Sequence, residues 1–161
     1  VFLSTIDADW GCKNADKFPI TLREKIKNDG FAFPEQTELE YEPILAYRGI
    51  TRKEGDLSGV TRRDFRSKAE KKEKRIRGQV IDQTNPTYYG VSLFKDKDIL
   101  KSKFVNAFKF PNPRKKIAVG YIKQESGPQL TNEETTHVCW WLFEDADLST
   151  FRFDENEDRK C

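Results

Sequence analysis

Residues 136–143 read Thr-His-Val-Cys-Trp-Trp-Leu-Phe, the most apolar stretch of the chain, built from the branched and aromatic side chains that suit a pleated strand. Hydrophobicity that is nearly continuous, rather than alternating, places such a strand at a central position of a sheet. Three further segments support a sheet around it. Residues 117–122 (Ile-Ala-Val-Gly-Tyr-Ile) and 88–94 (Tyr-Tyr-Gly-Val-Ser-Leu-Phe) have strand composition. Residues 41–50 hold the short apolar run Ile44-Leu45-Ala46-Tyr47, which ends at Arg48-Gly49 and so delivers an arginine at the end of a buried strand. Val80-Ile81 and the pair Phe151 and Phe153 predict two short strands more.

Helices are fewer. Residues 19–27 place Ile20, Leu22 and Ile26 along a short helix, with Thr21 as its N-cap and Asn28-Asp29-Gly30 as its stop. Asp96 or Asp98 caps a second helix that runs through residues 104–107 and ends before Pro111-Asn112-Pro113. Residues 51–60 and 124–132 read as loops, and residues 82–86 as a turn. Strands and helices follow one another without a regular βαβ rhythm. The expected fold is α+β, a single domain over residues 1–153 with a mostly antiparallel mixed sheet and a few short helices, followed by an acidic tail at 154–161.

A chain of 161 residues suits one domain, and 12 Phe, 5 Tyr and 3 Trp supply the large apolar surfaces that a 36% hydrophobic share would otherwise lack. No run approaches the roughly 18 apolar residues of a membrane-spanning helix, and the N-terminal stretch lacks a basic segment followed by an apolar one. A soluble, cytoplasmic chain with no membrane partner is the expectation. Cys12, Cys139 and Cys161 with a lone histidine, His137, offer no Cys-x-x-Cys pair, so reduced thiols and no metal are expected, with Cys139 in the core.

The net charge of +2 is too small to steer the whole molecule towards a polyanion, but the charge is not evenly spread. Residues 62–77 carry nine basic side chains against three acidic ones, with only Phe65, Ala69 and Ile76 apolar. Such a segment predicts a protruding helix or a lid with a thin buried stripe. Arg62, Arg63, Arg66, Lys68, Lys71, Lys72, Lys74 and Arg75 are its candidate contacts to nucleic acid, where each neutralised phosphate releases counterions. An acidic protein is the other partner this charge fits.

Motifs for other chemistries are thin. Gly55-Asp56-Leu57-Ser58-Gly59 lacks the lysine of a phosphate-cradling loop. Serine or cysteine nucleophilic catalysis would have to run through His137, beside the most apolar strand, where Thr135 and Thr136 also offer it structural partners. Glu70-Lys71-Lys72 has the short spacing of a metal-dependent nuclease but lies in the basic run, and Asp145 and Asp147 follow a strand as solvated acids do.

The order of an Arg-Gly pair on one strand (Arg48), an aromatic strand with a serine (Tyr88, Tyr89, Ser92), a short helix, and acids before the last long strand (Glu133, Glu134) resembles the Arg-Ser-Glu class of ADP-ribosyltransferases. The resemblance spans residues 44–143. It implies NAD as substrate, with Arg48 on the pyrophosphate, Tyr88 or Tyr89 stacked on nicotinamide, Ser92 in support, and Glu134, chosen among Glu125, Glu133 and Glu134, as the carboxylate. An arginine fork suits phosphate oxygens and a carboxylate stabilises positive charge at the ribose carbon. One serine stands where that class shows Ser-Thr-Ser, and no Glu-x-Glu occurs. Two expectations therefore stand side by side: an NAD-dependent transferase or NAD-cleaving domain, and a binding module acting through residues 62–77. A structural or assembly role is the third.

Overall fold

The computed structural model describes residues 8–53, 55–76, 78–103 and 114–154. Two helices, α1 (Ala8–Asn14) and α2 (Ile20–Asp29), precede the long strand β1 (Ile44–Arg52). A small hairpin, β2 (Arg75–Ile76) and β3 (Gln79–Val80), leads through a 3-10 turn at Pro86–Tyr89 into β4 (Val91–Phe94) and α3 (Lys97–Lys103). Strands β5 (Arg114–Ile122), β6 (Gln129–Thr131), β7 (His137–Trp140) and β8 (Arg152–Phe153) complete the order. The main sheet is antiparallel, β6-β7-β4-β1-β5-β8, so the α+β architecture with an antiparallel sheet is what the sequence predicts.

Strand β7 lies inside the sheet between β6 and β4, one place out from the central pair β4 and β1. Its residues alternate between two cores, which is why the run is apolar throughout. Val138 and Trp140 pack with Ala46, Leu93, Phe65 and Phe151, whereas Cys139 and Trp141 meet Phe18, Leu22 and Ile26 beneath α2. A third, smaller cluster of Phe94, Leu100 and Ile117 seats α3 on the sheet.

The register is uneven in a way that matters for the site. Strands β1 and β5 pair over nine positions, from Ile44 with Ile122 to Arg52 with Arg114. Strands β4 and β7 pair over four, including Ser92 with Cys139 and Phe94 with His137. Between β1 and β4 the register holds one pair, Tyr47 with Phe94. Beyond that pair the ladder opens, and Arg48 fills the opening: its Nη1 donates to the Ser92 carbonyl at 2.7 Å.

Several local expectations are corrected. Helix α2 begins at Ile20 with Pro19 ahead of it, so Thr21 lies in its first turn and is not the cap; a proline there sacrifices no helical hydrogen bond. Its stop at Gly30 is as expected, in the left-handed region at φ +66°, and Leu22 and Ile26 are buried while Ile20 faces solvent. Of the two candidate caps on α3, Asp96 serves, accepting from the backbone N–H groups of Asp98 and Ile99. Continuation through 104–107, its stop at 111–113 and the tail from 155 onward lie outside the described residues. The strand expected at 88–94 starts only at Val91, because Asn85 caps the 3-10 turn that holds Tyr88 and Tyr89. Arg48 stands in the middle of β1, not at its end. The loop expected at 124–132 contains edge strand β6.

The largest correction concerns residues 62–77, which form no protruding helix. A 3-10 turn at Arg62–Phe65 opens the segment, closed reciprocally by Thr61 and Asp64, and β2 ends it. Between them Ser67 and Glu70 exchange side-chain-to-backbone hydrogen bonds at 3.1 Å, and Lys72 takes a left-handed φ of +57°. Phe65 and Ala69 are buried, and the Phe65 ring meets Phe151 at 4.8 Å. Burial of these two side chains outweighs the helix propensity of the lysines and glutamates, so the segment wraps the sheet.

A buried ion pair fastens the same wrap. Arg52 donates to both carboxylate oxygens of Asp64 at 2.5 and 2.7 Å, with each side chain 7% exposed. Burial by itself would raise the Asp64 carboxyl, but the Arg52 hydrogen bonds and the Thr61 backbone N–H hold it below its ordinary value of 3.8. A carboxyl depressed on folding stabilises the native state above its unfolded pKa and ceases to do so as pH falls through the folded one. Wild-type protein should lose stability as pH drops below about 4, and Asp64→Asn should flatten that limb of the urea midpoint against pH while lowering the neutral plateau. Phe65→Ala should cost about 3–5 kcal/mol in urea unfolding, as removal of a buried aromatic does.

Candidate functional site

Where β1 and β4 part, a cleft of about 1000 Å³ opens between the sheet, α3 and the wrap at 63–81. Its cations come from separate parts of the chain: Arg48 from β1, Arg63, Arg66, Lys68 and Lys71 from the wrap, Lys103 from α3 and Lys115 from β5. Against these seven stand two acids, Asp64 and Glu73. Asp64 is already committed to Arg52, and Glu73 lies 3.4 Å from Lys71. Among the described residues, Arg66 and Lys68 have no carboxylate within ion-pair distance. Apolar residues also line it: Ile76 and Val80 of the hairpin, which its register places on opposite faces, Ile81 just after it, and Phe94 and Leu100.

Arg48 forms part of the floor. Its Nε donates to the Asp64 carbonyl at 2.7 Å, its Nη1 to that of Ser92, and its guanidinium lies 5.7 Å from the Phe65 ring centre. Burial pushes its pKa down to about 10, against the opposing pull of Asp64 and Glu73. The Lys115 ammonium is likewise held low, by burial first and then by Arg48 and Lys71. His137 is depressed by burial and by the charges of Lys68 and Lys103. Burial is the largest cause of all three shifts; neighbouring positive charge adds to it at Lys115 and His137, whereas at Arg48 the nearby acids oppose it.

Two polar side chains meet in that field. The pairing of Phe94 with His137 and of Ser92 with Cys139 sets all four on one face of the sheet. There Ser92 Oγ lies 2.6 Å from His137 Nε2, and the Phe94 ring stands edge-on to the imidazole at 5.1 Å. Ser92 is exposed and His137 half-buried. The neighbouring Cys139 thiol is buried, which raises its pKa and keeps it protonated. Gly90, at the cleft edge, is required by close packing, since a Cβ there would collide with the Cys139 sulfur.

The structure brings together some of the residues expected from sequence and disperses others. Arg48, Ser92, Arg63, Arg66, Lys68 and Lys71 converge on the cleft. Arg62 turns inward, donating to the Phe65 carbonyl at 2.7 Å, while Lys72, Lys74 and Arg75 are exposed outside the lining. Tyr88 is buried with its hydroxyl on the Glu73 carbonyl, and Tyr89 packs against Phe31, so neither ring faces the cleft. Glu134 is exposed on the turn before β7, Glu133 pairs with Lys95, and Glu125 sits on a distant 3-10 turn. Lys103, Lys115 and Glu73 join the lining without a signal in the sequence, because nothing local distinguishes a charged side chain at a helix end, strand start or loop from a solvated one.

Among the described residues no group of three or more His, Cys, Asp or Glu side chains is placed to share a metal ion, and no helix is long and apolar enough to cross a membrane. No protein-family model matches the chain, and no match is found among curated proteins or solved structures.

With a single histidine in the chain, its imidazole protons can be followed directly. Their NMR titration should give a midpoint below 6.5, and 10 mM inorganic phosphate should move it upward by neutralising Lys68 and Lys103. The folding linkage has the matching sign: a depressed imidazole binds fewer protons folded than unfolded, so His137 should contribute a loss of stability as pH falls below 6.5.

Proposed function

We propose that this chain is a binding module whose cleft takes a single-stranded nucleic acid. The observation that carries this reading is the convergence of seven cations from four parts of the fold onto one concave site that apolar residues also line. Phosphates suit the cationic side, where Arg66 and Lys68 lack carboxylate partners among the described residues. Unstacked bases suit the apolar side chains in the lining, which a duplex, with its bases turned inward, could not use. An acidic protein would satisfy the charge and leave the apolar part of the lining without a role.

A second reading is favoured by one observation, the meeting of Arg48 and Ser92 in the same cleft. NAD-dependent ADP-ribosyl transfer or NAD cleavage would use them as the resemblance implies, with Glu73 replacing Glu134 because, among the described residues, it is the glutamate in the lining. Arg48 spends its hydrogen bonds on backbone carbonyls, so it would act on a pyrophosphate through charge. Among the described residues Phe94 is the one Phe, Tyr or Trp in the lining, and its buried ring is packed edge-on against His137.

Fluorescence anisotropy with labelled single-stranded and duplex oligonucleotides separates the two. Single strands should bind more tightly than duplexes, and affinity should fall with salt at about 0.7 logarithmic units per phosphate neutralised. Arg66→Ala and Lys68→Ala should each weaken binding several-fold and reduce that slope by nearly one contact, whereas Lys27→Ala, on α2, should change neither. Absence of strand binding, with nicotinamide released from NAD by wild type and not by Glu73→Gln, would transfer the site to the second reading.

A further inference from the structure

The Ser92–His137 contact has no evident structural need. Thr135 Oγ1 already accepts the His137 backbone N–H, and the sheet hydrogen bonds of β4 and β7 do not involve either side chain. A serine at an exposed position of an edge-open cleft could equally bond water. Instead its hydroxyl lies at hydrogen-bond distance from a ring whose surroundings disfavour protonation, and in the neutral tautomer that carries its proton on Nδ1 the Nε2 lone pair accepts while the serine O–H donates. That is the arrangement of a nucleophile beside its base. The Phe94 ring packs edge-on against the imidazole.

Resting on the nucleic-acid reading above, we propose that Ser92 and His137 form a catalytic pair that cleaves a phosphodiester of the strand bound in the cleft. In the first step Ser92 Oγ attacks phosphorus, its proton passes to His137 Nε2, and the Oγ–P bond forms as the P–O bond to one sugar breaks. The departing alkoxide takes the proton from the imidazolium, leaving a strand end joined to Ser92 through phosphate. In the second step water attacks the same phosphorus with His137 as base, the Oγ–P bond breaks, and the proton returns to Ser92. Water is the co-reactant, no electron is exchanged, and the products are one free hydroxyl end and one phosphomonoester end.

The electrostatics of the cleft favour this chemistry over acyl transfer. Negative charge grows on the phosphoryl oxygens as the nucleophile adds, and Lys68 and Lys103 already act on His137 while Arg48 and Lys115 lie in the same cleft. The same cations make an imidazolium costly before substrate arrives. A bound phosphate offsets them and raises the basicity of Nε2 when it is needed, so the base is weak in the free protein and competent in the complex.

The test uses a 5′-labelled single-stranded DNA of about twenty nucleotides, incubated in EDTA with wild type, Ser92→Ala and His137→Gln purified in parallel, with binding measured by anisotropy on the same samples. DNA excludes attack by a 2′-hydroxyl. Wild type should cleave, both variants should lose cleavage at least 100-fold while binding within about threefold of wild type, and acid-quenched wild type should carry a nucleotide adduct on Ser92 by peptide mass spectrometry. Cleavage that persists in Ser92→Ala overturns the proposal, as does an adduct on another residue. Binding by wild type without cleavage overturns it and leaves the nucleic-acid reading intact; absence of binding overturns both. Should His137→Gln fail to fold, the Ser92→Ala variant, which removes one oxygen, and the adduct on wild type still decide.

Discussion

The guanidinium of Arg48 ties three parts of the molecule at one point. It donates to the carbonyls of Asp64 and Ser92 at 2.7 Å and lies over Phe65, thereby joining β1, β4 and the wrap where the sheet ladder has only one registered pair. A backbone carbonyl left without a donor in a partly buried setting costs about 1–3 kcal/mol, so the side chain substitutes for a strand neighbour that has moved away. Because the strands part there, a cleft exists; because the wrap is held at the same place, its cations face that cleft. Phe65 and the Arg52–Asp64 pair reinforce the same attachment from the core side.

The cleft gathers charge that the chain as a whole does not show. A net charge of +2 predicts no attraction to polyanions, yet seven cations and two acids line one concavity. Like charges held together in partly desolvated space weaken the folded state, and the depressed Lys115 and His137 record that repulsion in part. Such a site gains most from an anion, and the Ser92–His137 pair lies within it at hydrogen-bond distance.

Legibility varied with the physical source of each feature. The run at 136–143 and the strand at 117–122 were readable because burial on one or both faces writes itself into local composition. The stop at Gly30 was readable because a left-handed residue there favours glycine. Residues 62–77 were misread because their composition is that of a solvated helix, and two buried side chains, Phe65 and Ala69, decided otherwise. Tyr88 and Tyr89 were misplaced because the Asn85 cap shifts them from the strand into a turn. Of the candidate site, Arg48, Ser92 and half of the basic residues came together as their order along the strands allowed. Glu134 did not, since a carboxylate on an exposed turn reads the same in sequence as one that faces a site.

By itself the sequence determined the α+β class, the four principal strands and the presence of a locally basic segment, because each is a property of hydrophobic period or charge within a few residues. Only the tertiary structure decided which cations share a cleft, that Lys103 and Lys115 join them, and that Ser92 faces His137 across two strands. Those relations depend on register between strands β1, β4 and β7, and register is set by how whole faces pack rather than by any residue's immediate neighbours in the chain.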